Sequence, residues 1–338
     1  MPEFREMAKV TLFGSGNKGG ATFTPAKDIP SLAGKVVLIT GAAGDLGRQT
    51  AVELAKYGRP ARIYVADLPR GEAEKKAVVE RITREAYESD EKDKDTTAPK
   101  TDVRFIDLDL TSFESVRACA AEFAAQEERL DILVLNAGII RVAKGATKEG
   151  YEVHFGLNYL GHVLLAKLLV PTLEKTAAQG AEPRVVVVSS EGHAMAPKGG
   201  IQFDNLKTEC AAMDYSQRYG QSKLALIHLT RHLSVHHPTL KIAAVHPGRI
   251  LTGMADALKK ESLLVKLTAP IAPFFCVPVS VGIVNHLWAA TSKDVVSGKY
   301  YEPVGVTGKE SALARDEALG RRLAEWTEEQ IRGVEALA

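Results

Sequence analysis

The chain has 338 residues, of which 45% are hydrophobic and 25% charged, and its formal net charge is +1. That length suits one large or two small domains, and the near-neutral balance gives no basis for nucleic-acid binding or an acidic partner. Cys119, Cys210 and Cys276 are odd in number and widely spaced, which excludes a disulfide framework or a cysteine metal cluster and points to a reducing, cytoplasmic compartment.

Residues 1–30 lack periodicity and the apolar centre of a secretory signal, and are predicted to form an extension ahead of a single domain over 31–338. Lys35 to Ile39 is a short β-branched run, as expected of a buried parallel strand. Thr40-Gly41-Ala42-Ala43-Gly44-Asp45-Leu46-Gly47 follows, and Arg48 to Tyr57 has helical spacing that stops at Gly58. In a strand–turn–helix unit, glycines permit close backbone approach to a pyrophosphate, and the helix N-terminus supplies N–H groups and a favourable dipole. The next strand, Arg62 to Ala66, ends at Asp67. An acid about 20 positions past the last glycine accepts hydrogen bonds from the adenosine ribose and repels a 2′-phosphate. NAD is therefore expected over NADP, with Arg48 and Arg70 near enough in sequence to act the other way.

Ser89 to Lys100 is a charged loop. Strands are predicted at Val103 to Leu108, before Asp109-Leu110, and at Asp131 to Leu135, before Asn136-Ala137-Gly138. A helix carries Asn158, and the strand Val185 to Val188 leads into Ser189-Ser190 and a long loop to Arg218. Tyr219 and Lys223 lie one helical turn apart on one face. Tyrosine ordinarily titrates near ~10, and a neighbouring ammonium favours the phenolate, so Lys223 is expected to lower Tyr219. Alternating strands and helices without a flexible linker predict an α/β fold, a doubly wound parallel sheet in one domain.

Taken in order, these motifs resemble the short-chain dehydrogenase/reductase family, from about Asp28 to about Trp326, in its fungal and retinol-dehydrogenase-like branch. The resemblance implies a Rossmann fold with Asn158, Ser190, Tyr219 and Lys223 as catalytic residues. It places a dinucleotide against Gly41, Gly44, Asp45, Leu46, Gly47, Asp67, Asp109, Leu110, Asn136, Ala137 and Gly138. Tyr219, Lys223, Pro247, Gly248, Ile250 and Thr252 would hold its nicotinamide end. It also implies a homodimer through the helices of Asn158 and Tyr219. One departure stands out: the usual Thr-Gly-x-x-x-Gly-x-Gly is replaced by Thr-Gly-x-x-Gly-x-x-Gly, with Asp45 at a glycine position. That spacing resembles the extended branch of epimerases and dehydratases. Asp45 is expected to act as a helix N-cap.

Residues 253–279 are apolar, with Leu263-Leu264-Val265, Ile271 and Phe274-Phe275, and by resemblance form a lid over a hydrophobic small-molecule substrate. Lys266, Pro270, Pro273 and Pro278 exclude a membrane-spanning helix there. The nine histidines show no metal-ligand spacing, and no metal is expected. A helix from Val279 to Ala290, a last strand at Lys299 to Tyr301 and an amphipathic segment from Asp316 to Leu337 close the chain. The expected activity is NAD(P)-dependent interconversion of a hydrophobic secondary alcohol and its ketone. The alternatives are an epimerase or dehydratase that uses its cofactor transiently, and a non-redox dinucleotide-binding protein.

Overall fold

In the computed structural model, residues 20–87, 99–140, 142–250 and 277–334 are described. Seven parallel strands form one sheet in the order β3-β2-β1-β4-β5-β6-β7: β1 Val36–Thr40, β2 Arg62–Asp67, β3 Asp102–Asp107, β4 Ile132–Leu135, β5 Arg184–Val188, β6 Lys241–Val245 and β7 Lys299–Tyr301. β1, β4 and β5 are buried along their whole length, which is why they read as continuous apolar runs rather than alternating ones.

Helices cover both faces. Against one lie α1 (Asp45–Glu53, continued as a wider π-type turn over Leu54–Gly58), α2 (Glu72–Tyr87) and, late in the chain, the helix Val284–Thr291. Against the other lie α3 (Phe113–Gln126), α4 (Val153–Ala178) and α5 (Tyr215–His236). Numbered in chain order, Val284–Thr291 is α6 and Glu317–Ile331 is α7. Each large aliphatic side chain buried in these two layers contributes roughly 1.5–3 kcal/mol. The fold is the doubly wound α/β architecture expected.

α4 is long and apolar enough to cross a membrane, and 83% of its most apolar window is buried inside the fold. It carries a π-type turn over Gly156–Gly161, and Asn158 sits in that turn. α7 begins at Asp316, whose carboxylate accepts from Ala318 N and Leu319 N at 2.9 and 3.0 Å. It lies along α4 and α5. The hydroxyls of Tyr159 and Thr327 are 2.9 Å apart, Lys167 pairs with Glu328 at 2.5 Å, and Trp326 meets the rings of Tyr151, Phe155 and Phe203 at 5.8–6.0 Å. A helix of the same chain thus covers part of the α4 and α5 surface through which subunit pairing was expected.

The described part of the N-terminal extension lies on the domain. Ala21 N donates to Val304 O at 2.7 Å, Leu32 N donates to Gly58 O at 2.7 Å, and Ile29 and Leu32 are buried. Thr252 and residues 253–276 of the expected lid lie outside the described residues. The lid's last residues rejoin the body where Val277 N donates to Arg249 O at 2.7 Å.

Candidate active site

The sheet order reverses between β1 and β4, and the crevice at the carboxyl ends of these strands is where doubly wound folds bind ligands. The glycine turn, Asp67 and Asn136-Ala137-Gly138 all lie there. The turn is built tightly. A Cβ on Gly47 would stand 2.6 Å from Gly41 O and 2.8 Å from both Ala42 Cα and Asn136 Nδ2. Asn136 Nδ2 donates to Thr40 O at 2.8 Å, tying β4's end to β1's.

α1 starts at Asp45, three residues before the predicted helix, and the N-cap is Gly44. The cap expected of Asp45 is thus corrected. Gly44 takes the extended cap conformation (φ −82°, ψ 168°) and its carbonyl accepts from Arg48 N at 2.8 Å, leaving Asp45 as the first helical residue. The N–H groups of a first turn have no acceptor within their helix, so the turn still presents donors. Leu46 and Gly47 belong to that turn.

Asp67 Oδ2 accepts from Ala43 N at 2.9 Å, and Oδ1 accepts from Leu68 N at 2.9 Å and Arg70 Nη2 at 2.5 Å. Arg48 points elsewhere and pairs with Glu85. Asp109 is bound within its own turn, accepting from Thr111 N and Oγ1 at 2.9 and 2.6 Å. Leu110 is buried, with its carbonyl against Gly161. Pro247 and Gly248 follow β6, Gly248 at a φ of +87°, and Ile250 bridges to Val277.

Asn158 and Lys223 meet at Gly138, and Lys223 lies beside Tyr219, whose hydroxyl bonds that of Ser190. A Cβ on Gly138 would stand 3.3 Å from both Asn158 Oδ1 and Lys223 Nζ. Asn158 accepts at Oδ1 from Ile139 N at 2.9 Å. Its two amide protons go to Ile139 O at 3.2 Å and Ser222 Oγ at 2.9 Å. Ser222 in turn donates to Tyr219 O at 2.7 Å. Asn158 is a bracket between the turn after β4 and the helix that carries the tyrosine.

Lys223 Nζ donates to Val188 O at 2.8 Å and lies 5.7 Å from the Tyr219 ring centre. Burial brings Lys223 down to about 7. The ring of Tyr219 is only partly buried, yet loss of hydration is the largest influence on its hydroxyl. It pushes Tyr219 up to about 12, against a lowering by the Ser190 hydroxyl and with a further rise from the Glu191 charge. The expected lowering of Tyr219 by Lys223 is not what this state displays: the ammonium is turned to a backbone carbonyl, and desolvation outweighs it.

Two residues missed from sequence complete the site. Thr40 Oγ1 accepts from Asn136 N and Ala137 N, both at 2.9 Å, and lies 2.9 Å from His162 Nε2. The carbonyl of Asn158 can only accept, so the single N–H of the neutral His162 ring is at Nδ1, donating to it at 2.9 Å, and Nε2 accepts from Thr40. Burial lowers His162 to about 4, so the ring stays neutral and the chain of bonds intact. The signal was present in sequence, since His162 stands four residues after Asn158 on the same helix.

Comparison with known proteins gives the family. The sequence profile described as short chain dehydrogenase matches residues 35–203. The short-chain dehydrogenase/reductase drtF of Aspergillus calidoustus is 34% identical over 325 residues, covering 91% of this chain and 97% of its own. Human retinol dehydrogenase 14 is 36% identical over 306 residues, covering 88% and 86%. Among solved structures, an uncharacterized protein of Mycobacterium paratuberculosis superposes with a TM-score of 0.64 at 28% identity, covering 91% of this chain and 97% of that one. The chain belongs to the short-chain dehydrogenase/reductase family, in its retinol-dehydrogenase-like branch, and is an NAD(P)-dependent oxidoreductase.

Proposed function

We propose that the protein interconverts a hydrophobic secondary alcohol and its ketone, with Tyr219 as the acid and base. The observation that carries this reading is the convergence of Ser190, Tyr219 and Lys223 beside the turn that holds Asn136 and Gly138. A nicotinamide cofactor supplies or accepts the hydride. The residues present fit such a group: three glycines leave backbone exposed at a helix N-terminus, and Lys223 is a buried cation beside the tyrosine. Gly41, Gly44 to Gly47, Asp67, Asp109-Leu110 and Asn136 to Gly138 would hold the adenosine and phosphate end. Pro247, Gly248, Ile250 and Thr252 would hold the nicotinamide end.

Charge grows on the carbonyl oxygen during reduction, and donors fixed beforehand are commonly the largest catalytic contribution. Ser190 donates to that oxygen and Tyr219 delivers the proton. Lys223 stabilises the phenolate left behind, and Asn158 holds the helix in register and receives the proton path from Lys223 through water. In Tyr219→Phe, turnover should fall by roughly two or more orders of magnitude while NAD(P)H affinity is retained. Unchanged turnover would remove Tyr219 from the chemistry.

NAD is the proposed cofactor, because Asp67 stands where the ribose is read and Arg48 is occupied by Glu85. A fluorescence titration with NADH and NADPH tests this, and tighter NADPH binding would reverse the choice. The substrate is proposed to be apolar, in keeping with the sequence of residues 253–279 and a relative named for retinol. The domain is proposed to span 31–338. A cytoplasmic setting accords with Cys119 and Cys210, which are free thiols. The phosphate-turn spacing favours a second reading, epimerisation or dehydration with the cofactor retained. Net change of free NAD(P)H with substrate excludes it.

A further inference from the structure

Past the carboxyl ends of β5, β6 and β7, three acceptor side chains meet where the chemistry above makes no use of two of them. Val188, Val245 and Tyr301 are aligned rungs of adjacent parallel strands. His246 and Glu302 follow their strands immediately, and Glu191 follows Ser190. One ligand atom from each of Glu191, His246 and Glu302 lies within 4.8 Å of the other two. The three residues are only 8, 6 and 6% exposed. Asn285 Nδ2 clamps the backbone beneath them, donating to His246 O and Tyr301 O at 3.0 Å each.

A second observation is independent of the carboxylates. Among the described residues, neither ring nitrogen of the buried His246 has a hydrogen-bond partner. A buried polar group without a partner costs about 1–3 kcal/mol, which a folded protein seldom leaves in place without a use for the group. Arg249 pairs with Glu191, and Tyr300 donates its hydroxyl to Glu302, so both carboxylates are held in place beside the unpartnered ring.

We propose that Glu191, His246 and Glu302 form a binding site for a divalent transition-metal ion of the zinc or manganese kind. Two carboxylate oxygens and one neutral imidazole nitrogen are a ligand set such ions accept. Bonds of about 2.0–2.2 Å hold ligand atoms roughly 3–4 Å apart, a spacing compatible with side-chain atoms that lie within 4.8 Å of one another. The ion supplies a partner for His246. It also sits against Glu191, whose charge raises Tyr219.

The test is metal binding itself, so that its failure and a failure of the redox reading are separable. The full-length protein is stripped with chelator and titrated calorimetrically with ZnCl2 and, separately, MnCl2, with bound metal counted by mass spectrometry after dialysis. One equivalent per chain is expected for wild type. Glu302→Gln and His246→Asn should each weaken binding by roughly tenfold or more, the loss that even supporting residues cause at metal sites. Circular dichroism and thermal melts identify whichever variant is folded, and one folded variant suffices. No binding by wild type, or equal binding by wild type and a folded variant, overturns the proposal.

Discussion

At Tyr219 and Lys223, the proposed proton-handling pair, burial acts more strongly than mutual attraction, and this has a measurable consequence for stability. Lys223 sits at about 7 in the fold against 10.5 for an ordinary lysine. Between those values the unfolded chain holds a proton that the native chain lacks, so the stability of the free protein rises with pH. The contribution is lost as pH falls through about 7. Lys223→Met should therefore melt above wild type at pH 6, with a smaller gap at pH 9, as scanning calorimetry would report. The identities of these two residues were legible from their spacing. Their electrostatics were not, because desolvation depends on Val188, Glu191 and the rest of a pocket assembled from distant segments.

At the level of elements, the glycine turns hold the reacting groups by leaving no room. Gly192, two residues past Ser190, would place a Cβ 2.7 Å from Tyr219 Cε1. Gly192→Ala should displace the phenol and lower kcat by up to roughly a hundredfold, the scale of an ångström's misplacement, with cofactor affinity unchanged. Steady-state rates and an NADH titration separate the two effects. β1, β2, β4 and β5 were recognisable as apolar runs, and β7 as Lys299 to Tyr301. The π-type turn around Asn158 and the start of α1 at Asp45 were not, since each shifts backbone bonds by a residue without changing the hydrophobic pattern. The Glu191–His246–Glu302 group was hidden for a different reason: its members are neighbours only through the strand order β5-β6-β7, which local spacing does not contain.

Across the whole molecule, α7 packs on α4 and α5 of its own chain. Sedimentation equilibrium on the 36.5 kDa chain tests whether the homodimer expected from sequence forms with α7 in place. Trp326→Ala removes the ring that meets Tyr151, Phe155 and Phe203. It should cost about 3 kcal/mol in urea unfolding, the scale of an aromatic truncation. The amphipathic pattern of residues 316–337 announced a helix that packs on something; only the fold says that the something is α4 and α5.

Asp67 links these scales. Its carboxylate, expected to read the ribose, also holds the amide of Ala43 in the glycine turn. On the proposed reading of Asp67, coenzyme preference and the rigidity of the glycine turn share one side chain. An engineer who replaces Asp67 to admit a 2′-phosphate also unpins the turn, so Asp67→Ala should bind both dinucleotides more weakly rather than trade one for the other. Drift in coenzyme use along this lineage would need a second change, a new acceptor for Ala43, before or together with the first.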